Sequence, residues 1–213
     1  MTPPARFITL EGGDGAGKST QAKRLAESLQ DRGIGSVLTR EPGGSPGAEA
    51  IRTLLVQGER DRWDPATETL LVFAARADHV ARRIGPALAD GNWVICDRFI
   101  DSTYAYQGAG RGVSFEFIDR LQALVLGTFM PDLTLVLDID PDAGLARTAR
   151  RPEGGRDESR FERFGTAFHK QLRAAFLDIA AQNPERCVVI DASRPESDVE
   201  ESIWRTVSTR FGL

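Results

Sequence analysis

The chain has little of what marks a secreted, metal-built or membrane-embedded protein. Its 213 residues include two cysteines and two histidines. Cys96 and Cys187 both sit in apolar, strand-like runs, so the expectation is buried reduced thiols and neither a disulfide nor a metal pair. His79 and His169 complete no metal-ligand spacing. No apolar run approaches the roughly 20 residues that span a bilayer, and Met1 to Arg6 hold no signal-peptide core, which predicts a cytoplasmic protein without membrane attachment. Excess positive charge is missing too. With 27 Lys and Arg against 31 Asp and Glu, the net charge of -4 excludes a general nucleic-acid binder and leaves room only for a local basic site.

The length fits one α/β domain, residues 1–213, and 41% hydrophobic with 27% charged residues is ordinary globular composition. The most informative stretch is Glu11 to Thr20, Glu-Gly-Gly-Asp-Gly-Ala-Gly-Lys-Ser-Thr. Gly12, Gly17, Lys18 and Ser19 satisfy G-x-x-x-x-G-K-[ST] directly after the apolar run Phe7 to Leu10 and before a helical pattern. Glycine permits the positive φ angles that turn successive N–H groups inward, forming a nest for phosphate oxygens at a helix N-terminus. The expected ATP-binding set is therefore Gly12, Gly13, Asp14, Gly15, Ala16, Gly17, Lys18, Ser19 and Thr20. Lys18 would place its charge on the β- and γ-phosphates, and Ser19 would ligate Mg²⁺.

Along the chain, Ser36 to Thr39, Asn92 to Cys96, Leu133 to Leu137 and Val188 to Ile190 read as further strands, alternating with helical stretches. Helices are expected over Pro46–Gln57, Pro65–Asp90, Ser114–Leu126 and Glu196–Phe211, with another before the last strand. Five strands alternating with helices predict a P-loop NTPase fold, a five-stranded parallel sheet with helices on both faces. Ligands then bind outside the carboxyl ends of the strands, where the phosphate loop, Arg40, Asp97-Arg98 and Asp138 should converge.

Asp97 and Asp138 each end a strand run, and either can be the carboxylate near the metal. Phe73 reads as core by itself; with Arg76 three residues on, a ring and a guanidinium could instead hold a nucleobase, a choice that spacing alone does not make. Residues 147–163 carry Arg147, Arg150, Arg151, Arg156, Arg160 and Arg163 around Pro152, Gly154 and Gly155. Downstream of a phosphate loop, this composition reads as a lid that brings positive charge to the transferring phosphoryl group and excludes water.

Several segments together resemble the thymidylate kinase family. They are the phosphate loop, Arg40-Glu41-Pro42-Gly43-Gly44, Phe73-Ala74-Ala75-Arg76, Asp97-Arg98-Phe99 through Ser102-Thr103-Tyr104-Ala105-Tyr106-Gln107-Gly108, and Asp132 to Asp138 followed by the arginine-rich flap. The resemblance covers nearly the whole chain in order. It implies a dTMP kinase using ATP and Mg²⁺ to make dTDP for dTTP synthesis, and a homodimer. It also implies a dTMP site of Asp14, Arg40, Glu41, Phe73, Arg76, Arg98, Thr103, Tyr106 and Gln107. In it Phe73 would stack on thymine, Arg76 would bond its O4 edge, Thr103 and Gln107 would reach its other edge, and Tyr106 would exclude a ribose 2′-hydroxyl. Asp14 would meet the 3′-hydroxyl and Arg98 the acceptor phosphate. Catalysis would rest on Lys18, Arg98 and the flap arginine best matched by Arg151, with Ser19 and Asp97 at the metal. The loop holds Gly15-Ala16 where some members carry an arginine, and the basic flap is similar to the bacterial pattern. The alternatives are another nucleoside monophosphate or deoxynucleoside kinase on this fold, or a nucleotide-dependent switch or partitioning protein that binds ATP or GTP and signals through a partner.

Overall fold

All five residues of the first strand, β1 (Phe7–Glu11), are buried, as a central strand covered on both faces requires. In the computed structural model, which describes residues 4–149, 160–161 and 164–213, the chain continues through α1 (Lys18–Gln30), β2 (Ser36–Arg40), α2 (Pro46–Val56) and α3 (Pro65–His79). Next come α4 (Gly85–Ala89), β3 (Trp93–Asp97), α5 (Ile100–Thr103), a wide helical segment at Tyr104–Gly110 and α6 (Phe115–Leu126). It closes with β4 (Leu133–Asp138), α7 (Pro141–Thr148), α8 (Thr166–Gln182), β5 (Cys187–Asp191) and α9 (Glu196–Phe211).

Among the described residues the strands form one parallel sheet in the order β2-β3-β1-β4-β5. Side chains alternate faces along each strand and define what covers them. Ile8, Leu10, Ile95, Leu135 and Leu137 pack with Ala22, Leu25 and Leu29 of α1 and Val199, Ile203 and Val207 of α9. Phe7, Val94 and Cys96 face the other way, onto Phe73, Phe99, Ile100 and Ile118, while Val136 meets Leu172 and Phe176 of α8. Both cysteines are free and buried, as their apolar settings predict.

The expected helix over Pro65–Asp90 is divided. Val80–Ile84 widens to a π turn between α3 and α4. Pro86 has no N–H for the carbonyl four residues back and its ring would strike that carbonyl, so the ladder shifts by one residue just before it. Register then sets the working edge of the sheet: Leu10 and Arg40 both pair with Asp97, which puts the ends of β1, β2 and β3 side by side.

Candidate active site

A cleft of about 380 Å³ opens at that edge. It is lined on one side by Asp14, Gly15, Gly17, Lys18 and Ser19, and on the other by Arg40, Glu41, Val72, Arg76, Arg98, Thr103, Tyr106 and Gln107. The volume is within the range of small-molecule sites. Two loop glycines are required by close approach. A Cβ on Gly12, at φ 129, would lie 2.3 Å from the Leu137 carbonyl oxygen, and one on Gly15, at φ 76, would lie 1.9 Å from that of Gly144 in α7. The second contact explains why this loop has no basic side chain at position 15. Lys18 folds back to donate to the carbonyls of Gly12 (3.2 Å) and Gly13 (2.7 Å). Burial, with the Arg98 charge adding to it, pulls its ammonium down to about 8. The Ser19 hydroxyl donates to Asp97 Oδ2.

Arg98 holds the centre of the cleft at φ 72, the only non-glycine positive φ among the described residues. Its guanidinium donates to Gly12 O (3.0 Å), Ser102 Oγ (3.2 Å) and Asp14 Oδ1 (2.6 Å). Burial would raise the Asp14 carboxyl, but Arg98 and Lys18 outweigh it and hold the group below its usual range. Tyr106 donates to Asp14 Oδ2 at 3.3 Å, and Arg98 lies over its ring, 5.0 Å from the centroid. Desolvation raises the Tyr106 phenol, so it stays a neutral donor.

Arg76 is 1% exposed and comes from the last turn of α3. It donates to Glu41 Oε2 (2.7 Å), Thr103 Oγ1 (3.0 Å) and Phe99 O (3.0 Å). Three donors are spent, and two of the five guanidinium N–H groups are left. Glu41 is held in turn by His79, whose Nδ1 lies 3.0 Å from Oε1 and whose Nε2 lies 2.7 Å from Thr39 Oγ1. Arg40 is half exposed and engages Glu49 at 3.1 Å.

Four expected positions differ. Phe73 is 2% exposed, packs with Phe7, Val94 and Ile118, and does not line the cleft; Val72 does. On a helix with 3.6 residues per turn, position 72 is nearer the azimuth of Arg76 than position 73, so the flat ring faces the sheet and an aliphatic side chain faces the cavity. Asp138 is taken by Arg173 in a two-pronged pair (2.7 and 2.9 Å) and lines a separate recess behind the loop. Arg147 donates to Ala192 O at 3.1 Å. Arg160 is fully buried, with donors on the carbonyls of Leu55, Glu59 and Arg60. Arg150, Arg151 and Arg156 lie outside the described residues.

Three further residues escape a reading by motif. Glu11 accepts from Phe99 N (2.7 Å), Ser102 N (3.3 Å) and Ser102 Oγ (2.6 Å), and burial, reinforced by Asp101, raises it to about 7. Its place one residue before the loop was the available signal. His79 and Glu68 are buried polar residues inside α3 and carry no signal except polarity on an apolar helix face.

A phosphate loop on the central strand of a β2-β3-β1-β4-β5 sheet, faced across one cleft by a buried cationic pocket, defines a P-loop nucleotide-binding enzyme with room for a phosphoryl acceptor. The family described as "Thymidylate kinase" matches residues 10–203. "Thymidylate kinase" of Dinoroseobacter shibae is 57% identical over 95% of this chain and 96% of its own, and that of Caulobacter vibrioides is 54% identical over 97% and 98%. A crystal structure of thymidylate kinase from Ehrlichia chaffeensis superposes with a TM-score of 0.77 at 37% identity, covering 96% of this chain and 99% of that one. The chain belongs to the thymidylate kinase family.

Proposed function

We propose that the chain moves the γ-phosphoryl group of ATP onto the 5′-phosphate of dTMP, releasing ADP and dTDP on the way to dTTP. Family membership carries dTMP phosphorylation with ATP as donor. The observation that carries the division of labour is that Arg98 stands between two halves of one cleft, touching Gly12 and Asp14 of the loop on one side and Ser102, next to Thr103, on the other. On one side Lys18 and the loop amides receive the ATP phosphates. On the other, Arg76 offers its two spare N–H groups to O4 of thymine, and Thr103 and Gln107 face the rest of the base edge. Val72, Leu55 and Phe161 supply apolar wall in place of a stacked Phe73. Tyr106, tied to Asp14, fills the space of a ribose 2′-hydroxyl, and Arg40 and Glu41 shape the pocket. An acceptor phosphate oxygen attacks directly, so the protein's task is to screen two anions and align them.

Mg²⁺ fits the residues present. Ser19 and Asp97 bring a hydroxyl and a carboxylate into contact at the loop, a hard all-oxygen pair of the kind this ion takes, whereas Asp138 is spent on Arg173. When bound there, the ion neutralises phosphate charge.

We further read residues 1–213 as one catalytic domain with a flap at 147–163, in which Arg151 reaches the transferring group. We assign the protein to the cytoplasm; no described helix is long and apolar enough to cross a membrane. The neighbouring helices α3 and α6 leave Leu70 and Leu124 exposed, the latter by 82%, and we assign the surface around Leu124 to a homodimer. Leu124→Glu should halve the mass measured by light scattering; a wild-type monomer rules the dimer out. The activity test is ADP release with ATP, Mg²⁺ and dTMP, dUMP, UMP, CMP, AMP or no acceptor. Strong stimulation by dTMP, weaker by dUMP and little by the ribonucleotides is expected; release indifferent to the acceptor would point to the switch protein.

A further inference from the structure

Glu68 is 0% exposed in the first turn of α3, and nothing in phosphoryl transfer uses it. Its Oε1 accepts from Gln107 Nε2 at 2.9 Å. Its Oε2 lies 2.7 Å from Arg160 Nη2 in an ion pair that leaves this oxygen without a directed hydrogen bond, and Arg111 Nε stands 3.9 Å from Oε1. Both arginines are themselves fixed. Arg160 donates to Glu59 O (3.0 Å), Leu55 O (3.1 Å) and Arg60 O (2.7 Å), and Arg111 donates to Trp63 O (2.7 Å).

The chemistry of the pair is asymmetric. A side-chain amide has a donor end and an acceptor end of nearly equal shape and can turn over. A carboxylate faced by two guanidinium groups only accepts. Glu68 therefore removes the choice from Gln107: the NH₂ must face the carboxylate, and the carbonyl oxygen is left over. No described side chain or backbone N–H donates to that oxygen, and Gln107 lines the cleft beside Thr103 and Arg76.

We propose that Glu68, held by Arg160 and Arg111, is a positioning residue that fixes the Gln107 amide with its oxygen toward the base, so that the pocket selects an acceptor carrying a ring N–H. Thymine presents N3–H and matches this acceptor; cytosine has a bare N3 there, which leaves two acceptors facing each other. The inference rests on the dTMP-kinase reading and adds to it the origin of the base-edge polarity. It also ties Arg160, at the far edge of the flap sequence, to recognition of the base and not to the transferring phosphoryl.

The test is the ratio of kcat/KM for dTMP to that for dCMP in the full chain. In Glu68→Gln the partner regains a donor end, and the ratio should fall about tenfold or more, carried mainly by KM for dTMP. Glu68→Asp, which remains acceptor-only, should keep most of it. Gln107→Leu should lower the ratio, and Glu68→Gln added to Gln107→Leu should lower it no further. An unchanged ratio in Glu68→Gln, or an effect that persists in the Gln107→Leu background, overturns the proposal and leaves Glu68 a packing residue. A second readout needs no Glu68 variant. The side-chain NH₂ resonances of Gln107, assigned by their loss in Gln107→Leu, should stay unchanged when dTMP binds the wild-type protein, whereas a large shift shows the nitrogen turned to the base and overturns it. A wild-type protein that releases no ADP in response to dTMP fails the kinase reading itself; dTMP-dependent activity with an unmoved ratio fails this inference alone.

Discussion

On the phosphate side of the cleft, Lys18 rests on the carbonyls of Gly12 and Gly13, and Arg98 on Gly12 O, Ser102 and Asp14. On the base side, Arg76 is gripped by a buried carboxylate that is itself gripped by His79. Carbonyl oxygens are weak partners for an ammonium, and a phosphate can displace them at little cost. A buried Arg–Glu pair cannot be exchanged, because parting it leaves an uncompensated charge. The molecule thus parks the Lys18 charge on neutral groups, ties Arg98 to Asp14, and locks its recognition charge in place. One side is built to let go and the other to hold.

Truncating Lys18 gives the largest expected effect. Lys18→Ala leaves two loop carbonyls that water can satisfy, so the fold should lose little, while kcat should fall roughly a thousandfold because no other side chain of the loop supplies the charge. Steady-state ADP release with dTMP, beside a melting curve, checks both halves. Turnover within tenfold of wild type would mean that Lys18 is parked for good.

Glu11 lies between the two halves, since the Ser102 hydroxyl that receives Arg98 donates in turn to Glu11. Burial and Asp101 raise its carboxyl from 4.5 to about 7. The folded protein then binds a proton more tightly than the unfolded chain. Stability from this group is complete below about pH 4.5 and is lost as pH rises through about 7, by a maximum of about 3 kcal/mol. Urea titrations between pH 4.5 and 8 should show that decline in the wild type and a flatter profile in Glu11→Gln. Parallel profiles would remove Glu11 as the cause.

Arg76→Lys probes the locked side more gently. A lysine keeps the charge but cannot serve Glu41, Thr103 and the base from one planar fork. KM for dTMP should rise about thirtyfold, with kcat changed by less than about threefold, the opposite split to Lys18→Ala. A loss confined to kcat would erase the distinction between the two halves.

What the amino-acid order reveals follows from how locally each feature is specified. The phosphate loop needs glycines at fixed offsets, and the five strands are short apolar runs bounded by polar turns, so both are written in contiguous residues. Facing within a helix is subtler. Phe73 and Val72 differ by about 100° around α3, and an aromatic beside an arginine reads as a stacking pair until packing against Phe7 and Val94 shows which way the ring points. Glu68 and His79 act only through partners 39 and 38 residues away, Gln107 and Glu41, and no pattern along the chain encodes such pairs. Arg160 belongs by composition to a basic flap, but its donors go to the carbonyl of Leu55 at the end of α2 and to those of Glu59 and Arg60 just beyond it.

The two strand-end carboxylates give the smallest effect and the sharpest contrast. Asp97 contacts the Ser19 hydroxyl at the loop, whereas both oxygens of Asp138 are occupied by Arg173, which is raised by that hydrogen bond and by neighbouring carboxylate charge. Asp97→Asn should raise the Mg²⁺ concentration for half-maximal rate about tenfold and weaken Mn²⁺ binding to the ADP complex, measured by water-proton relaxation, to a similar degree. Asp138→Asn removes a partner of a half-exposed arginine, should cost no more than about 1 kcal/mol of stability, and should leave both metal readouts where they were. If the two asparagine variants shift the Mg²⁺ requirement equally, the carboxylate nearest Ser19 is no longer special. The phosphate side would then draw on β4 as well as β3, and the division between a yielding half and a fixed half would have to be redrawn along the sheet.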